Sequence, residues 1–259
     1  MAAGMVCLTA SAFATEPPVK AAAYIDFASV TPRWTGFYVG LNAGYGWSSA
    51  STYFAARDPL FGLAQADGSL PNFLEPRMRG FVGGGQIGYS WQFGQAVVGL
   101  EADIAYSGMK GDDSFSADMI FANPPMTTTQ KAEITWLGTV RPRIGWLWTP
   151  SVLVYASGGL AYGGVKVSTN VNVDMPGACP AANGFCSIGS RSTTRVGWTV
   201  GGGVESFIGS NWSVRAEYLY FDLGHESDPI DSTAPSGTVM RAHAEFNGHI
   251  VRAGLNYHF

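Results

Sequence analysis

The sequence predicts an all-β fold, an eight-stranded antiparallel up-and-down transmembrane β-barrel, on three observations. The closing stretch 247–259 alternates, with Val251, Ala253, Leu255, Tyr257 and Phe259 on one parity and Arg252, Gly254, Asn256 and His258 on the other. A period of two means a strand with one dry face and one polar face. Charged residues make up only 13% of the chain while aromatics reach 13% and Gly numbers 34, yet no apolar run is long enough for a membrane-spanning helix. Finally, the connections between strand-like stretches run alternately long and short. A soluble sandwich has no reason to gather every long connection at one end, whereas a barrel that turns tightly on one side of a bilayer does.

The remaining bulk properties narrow the class. Many aromatics and little charge exclude disorder, and a net charge of −4 with a pI near 5.5 gives no support to a nucleic-acid partner. Residues 1–14 are small and apolar and end in Ala12-Phe13-Ala14, which reads as the core and cleavage site of a secretory signal without its basic flank. Residues 15–33, with Pro17, Pro18 and Pro32, read as a periplasmic linker, and the barrel is expected over 34–259. Cys7 falls within the signal. In an exported chain the two remaining cysteines, Cys179 and Cys186, are expected to form a disulfide stapling one loop.

Each strand is justified by its alternation. The first turns Phe37, Val39, Leu41, Ala43, Tyr45 and Trp47 outward. After a long connection (48–78), the second presents Phe81, Gly85, Ile87, Tyr89, Trp91 and Phe93. A turn at Gly94-Gln95 leads to the third, with Ala96, Val98, Leu100, Ala102, Ile104 and Tyr106 outward. A second long connection (107–130) precedes the fourth, with Ile134, Trp136, Val140, Pro142, Ile144 and Trp146 outward. Pro142 cannot donate to a ladder, and a bulge there would reconcile it. The fifth uses Val152, Val154, Ala156, Leu160 and Tyr162, although Leu153 and Tyr155 fall on its other face. The sixth, after a third long loop (168–192), uses Val196, Trp198, Val200 and Val204. The seventh uses Trp212, Val214, Ala216, Tyr218 and Tyr220, and a fourth long loop (223–245) returns to the closing strand. Strands of about ten residues match the bilayer. This arrangement puts Phe37, Tyr89, Trp91, Phe93, Trp146, Trp212, Tyr257 and Phe259 near one interface. Tyr45, Trp47, Phe81, Tyr106, Trp136, Tyr162 and Tyr220 fall near the other. Two aromatic girdles emerge.

The inward parities carry the charge. Glu101, Asp103, Glu133, Glu205 and Glu217 face Arg141, Arg143, Arg195, Arg215 and Arg252. Eight strands leave an interior only wide enough for side chains, so these charges must pair. The balance predicts a salt-bridged plug; a selective pore would show a ring of one sign. Inward glycines (Gly40, Gly44, Gly84, Gly88, Gly201, Gly203) make room for the arginines.

Other signals are weaker. The run from Gly83 to Gly88 has dinucleotide-fingerprint spacing but continues a strand and opens no helix. His225, His243, His249 and His258 are scattered without ligand spacing. Asp222 with His225 and His243 with Glu245 lie where a barrel hydrolase keeps its catalytic groups, but no nucleophile motif accompanies them. Asp112, Asp113 and Asp118 form no calcium loop. No catalytic, metal or cofactor site is expected.

The stretches 34–47, 140–145, 155–163 and 216–224, from Trp34-Thr-Gly-Phe-Tyr-Val-Gly to Ala216-Glu-Tyr-Leu-Tyr-Phe-Asp-Leu-Gly224, resemble the alphaproteobacterial outer-membrane immunogenic proteins, small barrels of the porin-family type. The resemblance covers Trp34 to Phe259. It implies a surface protein of the Gram-negative cell outer membrane that supports envelope integrity and presents loops to the exterior, not an enzyme. It also implies that the C-terminal residues Leu255, Tyr257 and Phe259 form a signal for the barrel-assembly machinery. The expected partners are outer-membrane lipid and lipopolysaccharide, that machinery, and peptidoglycan or host surface molecules. The long first loop and the Cys179/Cys186 pair depart from the family pattern. A narrow porin-like channel for small solutes is the alternative function.

Overall fold

The computed structural model describes residues 34–56, 59–68, 71–119, 122–173, 187–231 and 239–259. The signal and linker at 1–33 and both Cys179 and Cys186 lie outside these residues. The strands are β1 (Gly36–Ala56), β2 (Phe73–Leu74), β3 (Arg77–Phe93), β4 (Ala96–Met119), β5 (Ala122–Thr149), β6 (Val152–Val173), β7 (Ser187–Phe207), β8 (Trp212–Asp231) and β9 (Val239–His258), with one helix, α1 (Pro59–Ala66). Neighbours pair antiparallel in chain order, and β1 closes on β9 from Tyr38 opposite His258 to Ala56 opposite Met240. The two-residue β2 only adds to the outer end of β1. The eight long strands are therefore the staves of a closed barrel. At Gly94 a φ of 63° starts the tight β3–β4 turn, the first-position glycine that a two-residue hairpin favours.

The apolar parities face outward as the alternation requires. Leu41, Phe81, Ile104, Ile144, Leu160, Val196 and Val251 are all at least half exposed, while Asn42, Gln86, Arg215, Arg252 and Asn256 are buried. The less regular sixth stave, β6, obeys the same parity, with Leu153 and Tyr155 buried and Leu160 exposed. Aromatic rings gather in two belts. Phe37 packs edge-on against Tyr89, and Trp212 against Tyr257, at the end holding Trp34, Phe259 and the tight turns. At the opposite end Trp47 stacks on His249, which also meets Tyr220, which in turn meets Trp198.

Three expectations are corrected. The long connections are mostly strand: β4 has 24 residues and β5 has 28, and the segment 107–130 is paired from Lys110 opposite Glu133 to Asp118 opposite Pro125. At about 3.3 Å per residue such strands are two to three times longer than an apolar band of roughly 25 Å requires. The sheet therefore continues past the outer girdle; a hairpin ladder satisfies backbone groups there that a loop would leave to water. Second, Pro142 needs no bulge: it stays in register opposite Leu100, and pairing with β6 passes over residues 141 and 142 without a shift. The irregularity lies instead at Thr135, where the registers with β4 and β6 both slip by one. A one-residue slip inverts every later side chain. This produces the third correction: Ile134 is fully buried and Glu133 points outward, the reverse of the strict alternation.

A closed ladder resists detergent at room temperature. The unheated chain is expected to migrate faster on a gel than the boiled chain, and identical migration would contradict closure.

Candidate functional site: a three-layer lumen

Inward side chains change character with height in the same way on β8 and β5. Along β8 they run Ser213, Arg215, Glu217, Leu219, Phe221, Leu223, and along β5 Leu147, Arg143, Arg141, Thr139, Leu137, Ile134. The interior is thus a charged layer between two apolar ones.

Glu101 is the hub of the charged layer. Its carboxylate lies 2.8 Å from Arg141 Nη2, in contact with Arg215 Nη1, 3.7 Å from Arg143 and 3.9 Å from Arg252, and it accepts a 2.7 Å hydrogen bond from the Tyr38 hydroxyl. Arg141 also reaches Asp103 and Glu217, each at 3.0 Å. Arg252 holds the same two acids at 3.1 and 2.7 Å. Thr139 donates to Asp103 at 2.6 Å and Tyr155 to Glu217 at 3.2 Å. Arg143 pairs with Glu205 at 3.0 Å, its guanidinium lying 4.9 Å from the Tyr38 ring centre and 5.1 Å from that of Tyr155. Glu205 further accepts from Ser213 and from the Asn256 amide at 2.6 and 2.7 Å. The amide relay continues from Asn256 to Gln86 and Asn42. All these ionic side chains are at most 3% exposed. In such a place an unpaired charge is costly; Arg141 and Arg252 offset the desolvation with several carboxylate hydrogen bonds each, while Arg143 and Arg215 make one each, to Glu205 and to Glu101.

Small residues let the groups approach. A side chain at Gly88 would run into the Tyr38 phenol, and one at Gly44 into Arg252 Cα and Cβ. The inward glycines therefore do make room, for the tyrosine as much as for the arginines.

Toward the outer girdle the charged layer is roofed by Met78, Val82, Met109, Ile134, Leu137, Val165, Leu219, Phe221, Phe246 and Ile250, all buried in one cluster. Toward the termini it is floored by Trp34, Val97, Leu147, Leu153 and Tyr155, with Phe207 against them. Trp34 donates its indole N–H to the Pro150 carbonyl at 3.1 Å and lies edge-on to Phe207, with ring centres 4.6 Å apart. His258 stacks on Tyr38 and approaches Ser213 Oγ at 2.9 Å.

Of the charges expected in the lumen, Glu101, Asp103, Arg141, Arg143, Glu205, Arg215, Glu217 and Arg252 form this network. Arg195 is buried but stands higher, against the Phe246 ring at 5.0 Å. Glu133 is the exception: the Thr135 slip turns it out to pair with Lys110 at 2.9 Å, and this carboxylate holds the Lys110 ammonium above its ordinary pKa. Sequence reasoning left Tyr38, Tyr155, Thr139, Ser213, Asn256 and Gln86 out of the network. Most are inward and polar by parity, so the signal was present. Trp34 precedes the first strand and has no periodicity to betray it. Leu255 and Phe259 are exposed on the barrel exterior. Among the described residues no cluster of His, Cys, Asp and Glu has metal-ligating geometry. The backbones of His225 and Glu245 are cross-strand partners, but the side chains of His225 and His243 lie outside the described ones.

Replacing the hub carboxylate leaves four guanidinium groups to three acids. Glu101→Gln is expected to lower unfolding stability by about 3–5 kcal/mol, read from urea titrations in detergent. Glu133→Gln, on the exterior, should leave the midpoint unchanged; equal effects would contradict their assignment to different sides of the wall.

Known proteins are similar to this chain. The family model described as outer membrane protein beta-barrel domain matches residues 1–259. The chain is 35% identical over 254 residues to the 31 kDa outer-membrane immunogenic protein of Brucella melitensis, covering 97% of this chain and 93% of the relative. It is 31% identical over 249 residues to the 22 kDa outer membrane protein of Rhizobium leguminosarum bv. viciae, covering 95% and 83%. Among solved structures it aligns with the outer membrane protein OprG of Pseudomonas aeruginosa at 10% identity and a TM-score of 0.47, over 88% of this chain and 99% of the other. With a closed antiparallel barrel, two aromatic girdles and a matching family model over its whole length, the chain belongs to the outer-membrane β-barrel family, among the relatives of the Brucella and Rhizobium outer-membrane immunogenic proteins.

Proposed function

We propose that this outer-membrane barrel is a structural and surface-interaction protein of the envelope, and that its lumen does not conduct. The observation that supports this reading is the filling of the lumen: an ion-pair layer with matched signs lies between an apolar roof and an apolar floor. Ions crossing it would have to break pairs that hold one another and also dewet two apolar layers, and both steps are costly. A channel for small solutes needs neither obstacle. The strands that extend past the outer girdle supply the interaction surface, since they raise β-structure from β4, β5 and β6 above the lipid. The termini and tight turns face the periplasm by the usual asymmetry of such barrels. The last strand, with Leu255, Tyr257 and Phe259, is the proposed handle for the assembly machinery.

The test is electrical. Refolded protein in planar bilayers is expected to give no steady conductance steps. Reproducible steps would overturn the closed-lumen reading and assign the narrow-channel function in its place.

A further inference from the structure

Above the outer girdle the wall is no longer one sheet. The ladder between β3 and β4 ends at Arg79 opposite Lys110, and that between β7 and β8 ends at Trp198 opposite Asp222. The ladders between these two run on: β4–β5 to Met119 opposite Ala122, β5–β6 to Met126 opposite Val173, and β6–β7 to Val171 opposite Ser187. On the other side β8–β9 continues to Asp231 opposite Val239, and β1–β9 to Ala56 opposite Met240. The outer wall therefore consists of two flaps, one of β4, β5, β6 and β7, the other of β8, β9 and β1 with β2. Two slits part them. In one of these a hollow of about 370 Å³ has Phe73, Leu74, Glu75 and Arg77 on one side and Asp112 and Asp113 on the other.

Both flaps meet the barrel at an irregular rung, and the two rungs are level with the outer girdle. The first flap slips at Thr135 of β5, next to Trp136 and its partner Tyr106. The second slips between Asp222 and His225 of β8, just past Tyr220. Gly224 within that slip has a φ of 74°, a left-handed backbone that glycine adopts without strain, and its N–H donates to the Asp222 carboxylate at 2.7 Å. Such slips interrupt a ladder and let its strand bend.

The flaps are tied to each other across the bore. Gln130 of β5 donates its amide N–H to the Thr52 hydroxyl of β1 at 2.9 Å, and the Glu75 backbone N–H donates to the Asp113 carboxylate at 3.1 Å. Thr169 lies opposite Gln130, and Thr128 two residues along the same face. Thr52, Thr128, Gln130 and Thr169 are at most 6% exposed, and none carries a charge. The side-chain carbonyl of Gln130 and the hydroxyls of Thr128 and Thr169 find no hydrogen-bond partner among the protein's atoms. Buried polar atoms in that position disfavour the closed form, because parting the flaps would return them to water. The Gln130–Thr52 bond opposes them.

We propose that the two flaps part about the outer girdle, and that the hydrogen bond from Gln130 to Thr52 is the latch that holds them shut. The open form presents the neutral layer of Thr52, Thr128, Gln130 and Thr169 to the medium. Leu137, Leu219 and Ile250 of the apolar roof lie on the barrel side of both irregular rungs and stay packed over the ion pairs. The motion therefore leaves the charged layer covered, and the inference does not depend on whether the lumen conducts.

The experiment measures thiol labelling of the folded full-length chain in detergent, with Cys7, Cys179 and Cys186 replaced by Ser. Thr169→Cys reports on the layer between the flaps, and Ala105→Cys, 3% exposed, on the roof beneath it. Thr52→Val removes the acceptor of the latch and is expected to raise the maleimide labelling rate at Thr169→Cys at least about fivefold. Thr52→Ser keeps the hydroxyl and is expected to leave the rate unchanged. Ala105→Cys is expected to stay unreactive in every background. Folding is followed by heat-modifiable migration. Should Thr52→Val fail to fold, Gln130→Met removes the donor in its place, with the same expected rise. An unchanged rate in the folded latch variants would overturn the proposal. So would an equal acceleration at Ala105→Cys, which would mark a wall loosened throughout instead of two flaps parting.

Discussion

The closure of the sheet on itself at membrane depth governs the rest of this molecule. Hydrocarbon offers no hydrogen bonds, so each backbone group at membrane depth must find its partner in the wall. The pairing of β1 with β9 meets that demand along the whole height of the barrel. Closure with eight long strands then fixes a narrow bore. A narrow bore decides what its contents can be. Arginines and carboxylates inside it have neither bulk water nor room to stand apart, so they converge on Glu101, Asp103, Glu205 and Glu217.

The apolar roof and floor complete that logic. Coulomb attraction grows as the effective dielectric falls, and so does the penalty for any imperfect pair. A network sealed between Phe221 and Ile250 above and Trp34 and Leu153 below is held in that regime. Two of its members are over-determined: Arg141 engages three acids and a serine, and Glu101 engages four arginines and a tyrosine. Several strands far apart in the chain are thereby locked at one height, which adds to the ladder a second, side-chain determinant of register.

Much of this was legible in the sequence because one physical rule, period-two alternation against lipid, acts on every strand. It placed the outward faces, the girdles and eight members of the charge network. It failed where the period itself broke. The slip at Thr135 is invisible in a string of residues that still alternates, and it exchanged Glu133 for Ile134. The strand extensions were also hidden, because Asp112, Asp113 and the Asn123-Pro-Pro125 segment carry turn-forming residues while their neighbours pair in register. The apolar roof was readable in Leu219, Phe221 and Leu223, which continue the inward parity of Arg215 and Glu217. A lumen thought of only as polar gives no reason to follow that parity upward.

Trp34 stands outside every strand yet is fully buried, and its contacts come from places distant along the chain: the Gln92 side chain of β3, the Pro150 carbonyl, Phe207 of β7 and His258 of β9. That set of neighbours exists together only once the first and last staves have met. The complete burial of the indole therefore depends on closure of the cylinder, which makes Trp34 a latch between the first stave and the last.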